Sequence, residues 1–211
     1  MKLAKNNVPH DSSLGHVTGE AMFVDDLAST KNELIVDFIP SPIAHGKIKS
    51  LNVDKLLQLD GIVGVFTAKD IPGHNLYGPV IQDEHFLADD LVEYVGQPIG
   101  VIAGESRKAI RNAKKKISLE IEEFSPVLSI DEALAKKQFL GELREFKQGD
   151  FEKSWRKAEK KLEGTFICAG QEQFYLESQA AIAWPGEHGE IHIHSSSQNP
   201  TEIQQVVAEA L

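Results

Sequence analysis

The residues able to do chemistry are few, and they gather in the last third of a 211-residue chain. The segment Ala169-Gly170-Gln171-Glu172-Gln173-Phe174-Tyr175-Leu176-Glu177 concentrates amides, carboxylates and a phenol between two apolar runs. A neutral amide such as that of Gln171 offers a donor and an acceptor at once, which suits an oxo group or another polar ligand. The same segment also reads as a polar crossover whose amides serve the local backbone. A second cluster is His188, His192 and His194. Residues two apart share a face of a strand, so His192 and His194 make either a metal pair or the wet face of a hairpin. No acidic or thiol partner at defensible spacing completes a zinc set. Cys168, the single cysteine, excludes an intramolecular disulfide and a CxxC metal site. It lies in the apolar run Thr165-Phe166-Ile167-Cys168-Ala169 and is expected to be a buried small hydrophobe.

Several chemistries are absent from the sequence. There is no GxGxxG or GxxxxGK[ST] phosphate loop and no GxSxG nucleophile elbow. A net charge of −10 argues against nucleic acid, whose binding needs a concentrated basic surface. The densest basic cluster, Arg107, Lys108, Arg111, Lys114, Lys115 and Lys116, is spread around one short helix and reads as a solvated face. No run approaches the roughly 20 apolar residues of a membrane helix, and the first residues lack the apolar core of a secretory signal. A cytoplasmic location without membrane contact is the resulting expectation.

Elements that would position these residues can be read from periodicity. Strands are expected at Glu33–Ile39, Gly46–Val53, Val63–Thr67, Leu91–Val95 and Ile99–Ala103, with Ile117, Leu119, Ile121 and Phe124 forming one face of another. Asp54 starts a short helix closed by Gly61, and Ser106 caps the basic helix from Arg107 to Lys115. Residues 71 to 90 read as a long loop. This order indicates an α+β domain over 9–125 behind a tail at 1–8. A connector at 126–149 holds one helix, Asp131–Lys137. Asp150 then caps a helix over Phe151–Lys157. Strands are expected at Leu162–Cys168, Glu177–Trp184 and Glu190–His194. Ser195-Ser196-Ser197 precedes a helix that opens at Asn199-Pro200 and reaches Leu211 with no C-terminal cap. The unit beginning at 150 reads as truncated, and its open edge could pair with a second copy.

Collinear motifs point further. Pro9-His10-Asp11-Ser12, His16-Val17-Thr18-Gly19-Glu20-Ala21, Ser41-Pro42-Ile43-Ala44-His45-Gly46 and Val95-Gly96-Gln97-Pro98-Ile99 resemble the opening of xanthine dehydrogenase large subunits. Gly170-Gln171-Glu172, Phe174-Tyr175-Leu176-Glu177 and Ser196-Ser197-Gln198-Asn199-Pro200-Thr201-Glu202 continue the resemblance in the same order. It implies an α/β hammerhead domain over 9–125, then the beginning of a molybdopterin-binding α+β domain at 150–211. It also implies a parent enzyme that hydroxylates an electron-poor carbon of a purine (hypoxanthine or xanthine) or of an aldehyde. Molybdenum-molybdopterin would be its cofactor, and electrons would leave through iron–sulfur clusters to FAD on partner domains or subunits.

Gln171 matches the family glutamine whose amide hydrogen-bonds a molybdenum ligand. Ala169 and Gln173 depart from the family pattern, which has glycine and histidine there. The glycine-rich loop, substrate arginine and catalytic glutamate of the family fall beyond Leu211. The chain alone is therefore expected to be inactive and to bind no cofactor by itself. Two alternatives stand beside this reading: a non-catalytic stand-alone hammerhead module for binding or assembly, and an aldehyde oxidoreductase subunit.

Overall fold

A computed structural model describes residues 9–175 and 179–211; the expected tail at 1–8 and the first two residues of the Glu177–Trp184 strand lie outside these. In chain order the first elements are α1 (Ser13–Thr18), β1 (Ile35–Pro40), β2 (Gly46–Leu51), α2 (Val53–Leu57), β3 (Ile62–Thr67), β4 (Leu76–Tyr77) and β5 (Glu84–His85). After them come β6 (Leu91–Val92), β7 (Pro98–Gly104), α3 (Arg107–Lys114), β8 (Leu119–Glu123), α4 (Ile130–Lys136) and α5 (Phe151–Lys157). The last three are β9 (Ala181–Pro185), β10 (Ile191–Ser195) and α6 (Pro200–Ala210). Two compact units result: Met1–Pro126 with Ser178–Leu211, and Val127–Glu177.

The first unit is built on two three-stranded antiparallel sheets, ordered β1-β7-β3 and β6-β2-β8. The apolar run of β7 occupies the centre of its sheet because it is buried on both sides, as its continuous Ile-Gly-Val-Ile-Ala composition requires. Ile39, Val65 and Ile102 form one core with Leu56 of α2 and with Ile110 and Ala113 of α3. Ala88, Val92 and Ile99 form another, covered by Ile43, Ile48, Leu119 and Ile121. Ser106 caps α3 as expected, its Oγ accepting from the Ala109 N–H at 3.1 Å. The basic residues of α3 are solvated apart from Lys114, which reaches back to Asp37 of the edge strand β1 at 2.7 Å.

Two of the chain's crossings between the sheets, after β1 and after β6, are stitched together. The Ser41 N–H donates to the Gln97 carbonyl, and the Gly96 N–H to the Ser41 carbonyl, each at 2.8 Å. Both side chains are buried and satisfied: the Ser41 hydroxyl donates to the Ile43 carbonyl, and Gln97 Oε1 accepts from the Glu93 N–H at 2.7 Å. That last bond turns the chain, so β6 ends at Val92 and not at Val95. Two of the family-like motifs are thus structural joints.

Four further expectations are corrected. Residues 71–90 are not an unstructured loop: β4 and β5 pair as a small ladder, with Tyr77 stacked on Phe86 at 4.8 Å. Burial and the adjacent Glu84 carboxylate hold the Tyr77 phenol above its ordinary pKa. The run Leu162–Cys168 forms no strand, because no described segment supplies the neighbour that its backbone needs. Cys168 is accordingly exposed and not buried. The helix ending at Ala210 does have a C-terminal cap, supplied from outside the helix: its last carbonyls accept from the Gly73 and His74 N–H groups. Among the described residues no helix is long and apolar enough to cross a membrane.

Candidate functional site

Gln171 lies in the unit Val127–Glu177, in a stretch from 161 to 175 without regular structure, and its side chain is exposed. An α5 that buries nothing precedes this stretch, held at its start by Asp150, whose Oδ1 accepts from the Lys153 N–H at 2.9 Å. Around Gln171 the local bonds belong to its neighbours. Glu172 Oε1 accepts from the Phe174 N–H at 3.3 Å, and Phe174 is held at φ 49°. Among the described residues the Gln171 amide has no hydrogen-bond partner. The backbone bonds a crossover amide would serve are not made by it. Gly170 beside it opens onto free space, with nothing within 4 Å of where a side chain would begin. Gln173 is exposed as well.

The histidines fall in the other unit, on the β9–β10 hairpin. Register places His192 opposite Trp184 and His194 opposite Ile182. The His192 ring stacks on Trp184 at 5.6 Å, while His194 meets the same indole edge-on at 4.9 Å. Glu190 Oε2 stands 3.9 Å from His192 Nε2. The two imidazoles share one face, as the spacing implies, but they flank an indole and no ligand set closes around them. His188 lies in the connecting turn at φ 59°. Among the described residues no group of three or more His, Cys, Asp or Glu side chains could hold a metal ion. Trp184 was not singled out from sequence; counting the hairpin register back from His192 would have found it.

The serine cluster also has local duties. The Ser196 hydroxyl accepts from the Ala180 N–H at 2.9 Å and donates to the Ala180 carbonyl, closing the hairpin. The Ser197 hydroxyl accepts from the Asn199 N–H, and Asn199 Oδ1 caps α6 by accepting from the Glu202 N–H at 3.2 Å. A recess of about 630 Å³ lies between β1 and α3, lined by Asp37, Arg107, Arg111, Lys114 and Lys115 among others. It is a solvated groove between charged side chains and holds none of the residues above.

A pterin cofactor with its metal needs several donors. Among the described residues the Gln171 amide is exposed and unengaged, beside a glycine with open space around it. An amide in that setting can orient a polar ligand.

The comparisons with known proteins bear on this arrangement directly. Residues 18–125 match the family model described as the aldehyde oxidase and xanthine dehydrogenase a/b hammerhead domain, and residues 133–211 match that of the molybdopterin cofactor-binding domain. The xanthine dehydrogenase of Emericella nidulans is 41% identical over 204 residues, covering 95% of this chain and 15% of that protein. That of Dictyostelium discoideum is 39% identical, with 97% and 15% covered. Aldehyde oxidase 4 of Cavia porcellus is 38% identical over 206 residues, again with 97% and 15% covered. The chain thus spans about 15% of the length of these relatives.

Among solved structures, the aldehyde oxidoreductase from Desulfovibrio gigas superposes with a TM-score of 0.80 at 23% identity, over 96% of this chain and 25% of that one. The quinoline 2-oxidoreductase from Pseudomonas putida 86 does so with 0.76 at 22% identity, over 96% and 28%. These two likenesses concern the fold alone. With the hammerhead match over 18–125 and the cofactor-domain match after it, the chain belongs to the aldehyde oxidase and xanthine dehydrogenase family of molybdenum hydroxylases.

Proposed function

We propose that this chain is the part of a xanthine dehydrogenase-like subunit that supplies the hammerhead domain and the first segment of the molybdopterin-binding domain. When bound in the complete enzyme, the cofactor would supply the redox chemistry that hydroxylates hypoxanthine or xanthine. The protein would provide orientation and electrostatics. Electrons would pass to iron–sulfur clusters and FAD on other domains or subunits, in the cytoplasm. By itself the chain is inactive toward purines, because Gln171 is its only group matched to the family's active site.

The observation that carries this reading is the Gln171 amide, exposed and without a partner among the described residues, inside a motif that matches the family. Its role is to donate a hydrogen bond to a ligand of the metal and so orient that ligand. Loss of such a contact typically lowers activity or metal affinity about 10–100-fold. In the complete subunit, Gln171→Ala is expected to lower turnover by about that range, with the fold unchanged. Gln173→Ala should have a smaller effect. Steady-state kinetics with molybdenum content measured alongside decide the matter. Wild-type turnover in Gln171→Ala at full metal loading would reduce the segment to a crossover. The isolated 211-residue chain should oxidise neither xanthine nor hypoxanthine, and any metal-dependent turnover by it would overturn that part of the reading.

An aldehyde substrate is the second reading. It draws support from the aldehyde oxidase relative at 38% identity, close to the 41% of the xanthine dehydrogenase. Turnover of the complete enzyme with xanthine against an aromatic aldehyde separates the two.

A further inference from the structure

The end of α6 is finished by a segment more than a hundred residues earlier in the chain. An α-helix leaves its last four carbonyls without internal partners. In α6 the Glu209 carbonyl accepts from the His74 N–H at 2.8 Å, and the Ala210 carbonyl accepts from the Gly73 N–H at 3.0 Å. A third bond joins the Gln82 amide Nε2 to the Glu209 carboxylate at 3.4 Å. Three bonds from one small ladder therefore converge on two consecutive residues of the helix.

The ladder is anchored in turn. Asn75 acts as a backbone mimic: its Nδ2 donates to the Leu87 carbonyl at 2.8 Å, and its Oδ1 accepts from the Leu87 N–H at 3.1 Å. Leu87 and Ala88 are buried, and the Ala88 N–H donates to the Pro98 carbonyl at 2.8 Å, at the start of β7. A continuous run of hydrogen bonds thus leads from the core strand β7 to the last turn of α6. Gly73 is the tightest point: a Cβ placed there would lie 2.1 Å from the Glu209 carbonyl oxygen, a backbone atom that cannot yield without moving the helix.

We propose that residues 71–82 are a docking clip, through which the hammerhead domain fixes the orientation of α6 in the cofactor-binding segment, with Gly73 as the positioning residue. The two partners lie on opposite sides of the family's domain division, since residues 18–125 match the hammerhead model and 133–211 the cofactor-binding model. Any consequence for activity rests on the function proposed above. The clip itself does not.

Amide hydrogen exchange on the 211-residue chain tests it without cofactor or substrate. The Gly73 and His74 amides should be protected in the wild type. A chain ending at Ala208, which removes both acceptor carbonyls, should speed exchange at those two amides by about tenfold or more, while Ile102 in the core keeps its protection. Gly73→Ala should do the same and also loosen the last turn of α6. If Gly73→Ala unfolds the chain, the truncation alone decides. Exchange at Gly73 and His74 that is fast in the wild type, or unchanged by the truncation, overturns the clip. Neither result touches Gln171, so failure here and failure of the proposed function are told apart.

Discussion

Two apolar runs of similar length meet opposite fates. Pro98-Ile99-Gly100-Val101-Ile102-Ala103-Gly104 becomes β7, paired on both edges and covered by α3. Leu162-Glu163-Gly164-Thr165-Phe166-Ile167-Cys168 stays without regular structure, with Phe166 91% and Ile167 86% exposed. The difference lies in the neighbours. Residues 35–67 deliver two strands to β7, whereas no described segment pairs with 162–168. Burying side chains of this size is worth about 1.5–3 kcal/mol each, so contiguous exposure of this kind marks a surface built to be covered. The proposed function supplies that cover from the remainder of a larger enzyme.

The largest test of this contrast is a pair of core and run substitutions. Ile102→Ala should cost about 2–5 kcal/mol in urea unfolding, because Ile102 is fully buried at the centre of its sheet and the site cannot collapse around the loss. Ile167→Ala should move the same transition by less than about 0.5 kcal/mol. Equal effects would mean that the 162–168 run is packed after all.

Helix caps give a smaller version of the same comparison. Ser106 and Asp150 make matching bonds, to the Ala109 N–H at 3.1 Å and the Lys153 N–H at 2.9 Å. Only the first helix is tied to a core, through Ile110 and Ala113; α5 buries nothing. Ser106→Ala should therefore lower global stability by about 0.5–2 kcal/mol, and Asp150→Ala should reduce helical circular dichroism without shifting the unfolding midpoint.

Local chemistry was what the sequence made legible. Ser106, Asp150 and Asn199 each cap the helix their side chains announce, and the β9–β10 hairpin follows from the turn at Pro185–Gly189. What escaped was partly local, since β6 stops at Val92 through the Glu93–Gln97 bond and α2 starts from Asn52 and not from Asp54, and partly a matter of distant partners. The apolar pattern at 162–168 encodes a wish for burial but not the surface that would satisfy it. The end of α6 looked uncapped because its donors, Gly73 and His74, are more than a hundred residues away. Residues 71–90 carry no periodicity because two-residue strands are too short to show one. The site residue Gln171 was legible only through its motif, since an exposed amide has no packing signature.

The smallest expected effect concerns two carboxylates in matched ion pairs. Glu122 on β8 is paired with Lys49 on β2, and Glu132 with Lys136 one turn on in α4. In each, the hydrogen bond from the lysine is the main cause that holds the carboxyl below its ordinary pKa. A carboxyl lowered in the folded state adds stability above its unfolded value, and that stability is lost as the pH falls through the folded value. Both side chains are well exposed, so the contribution is small and weakens with salt. Glu122→Gln should lower the midpoint of thermal unfolding slightly at neutral pH, and the gap from wild type should close as the pH drops below the usual carboxylate range. Glu132→Gln carries the same local electrostatics on a helix that buries nothing, so its global midpoint should follow the wild type at every pH. A pH-dependent shift in both variants would show that α4 unfolds together with the two-sheet core, and the contrast between the two regions would then be one of exposure and not of cooperativity.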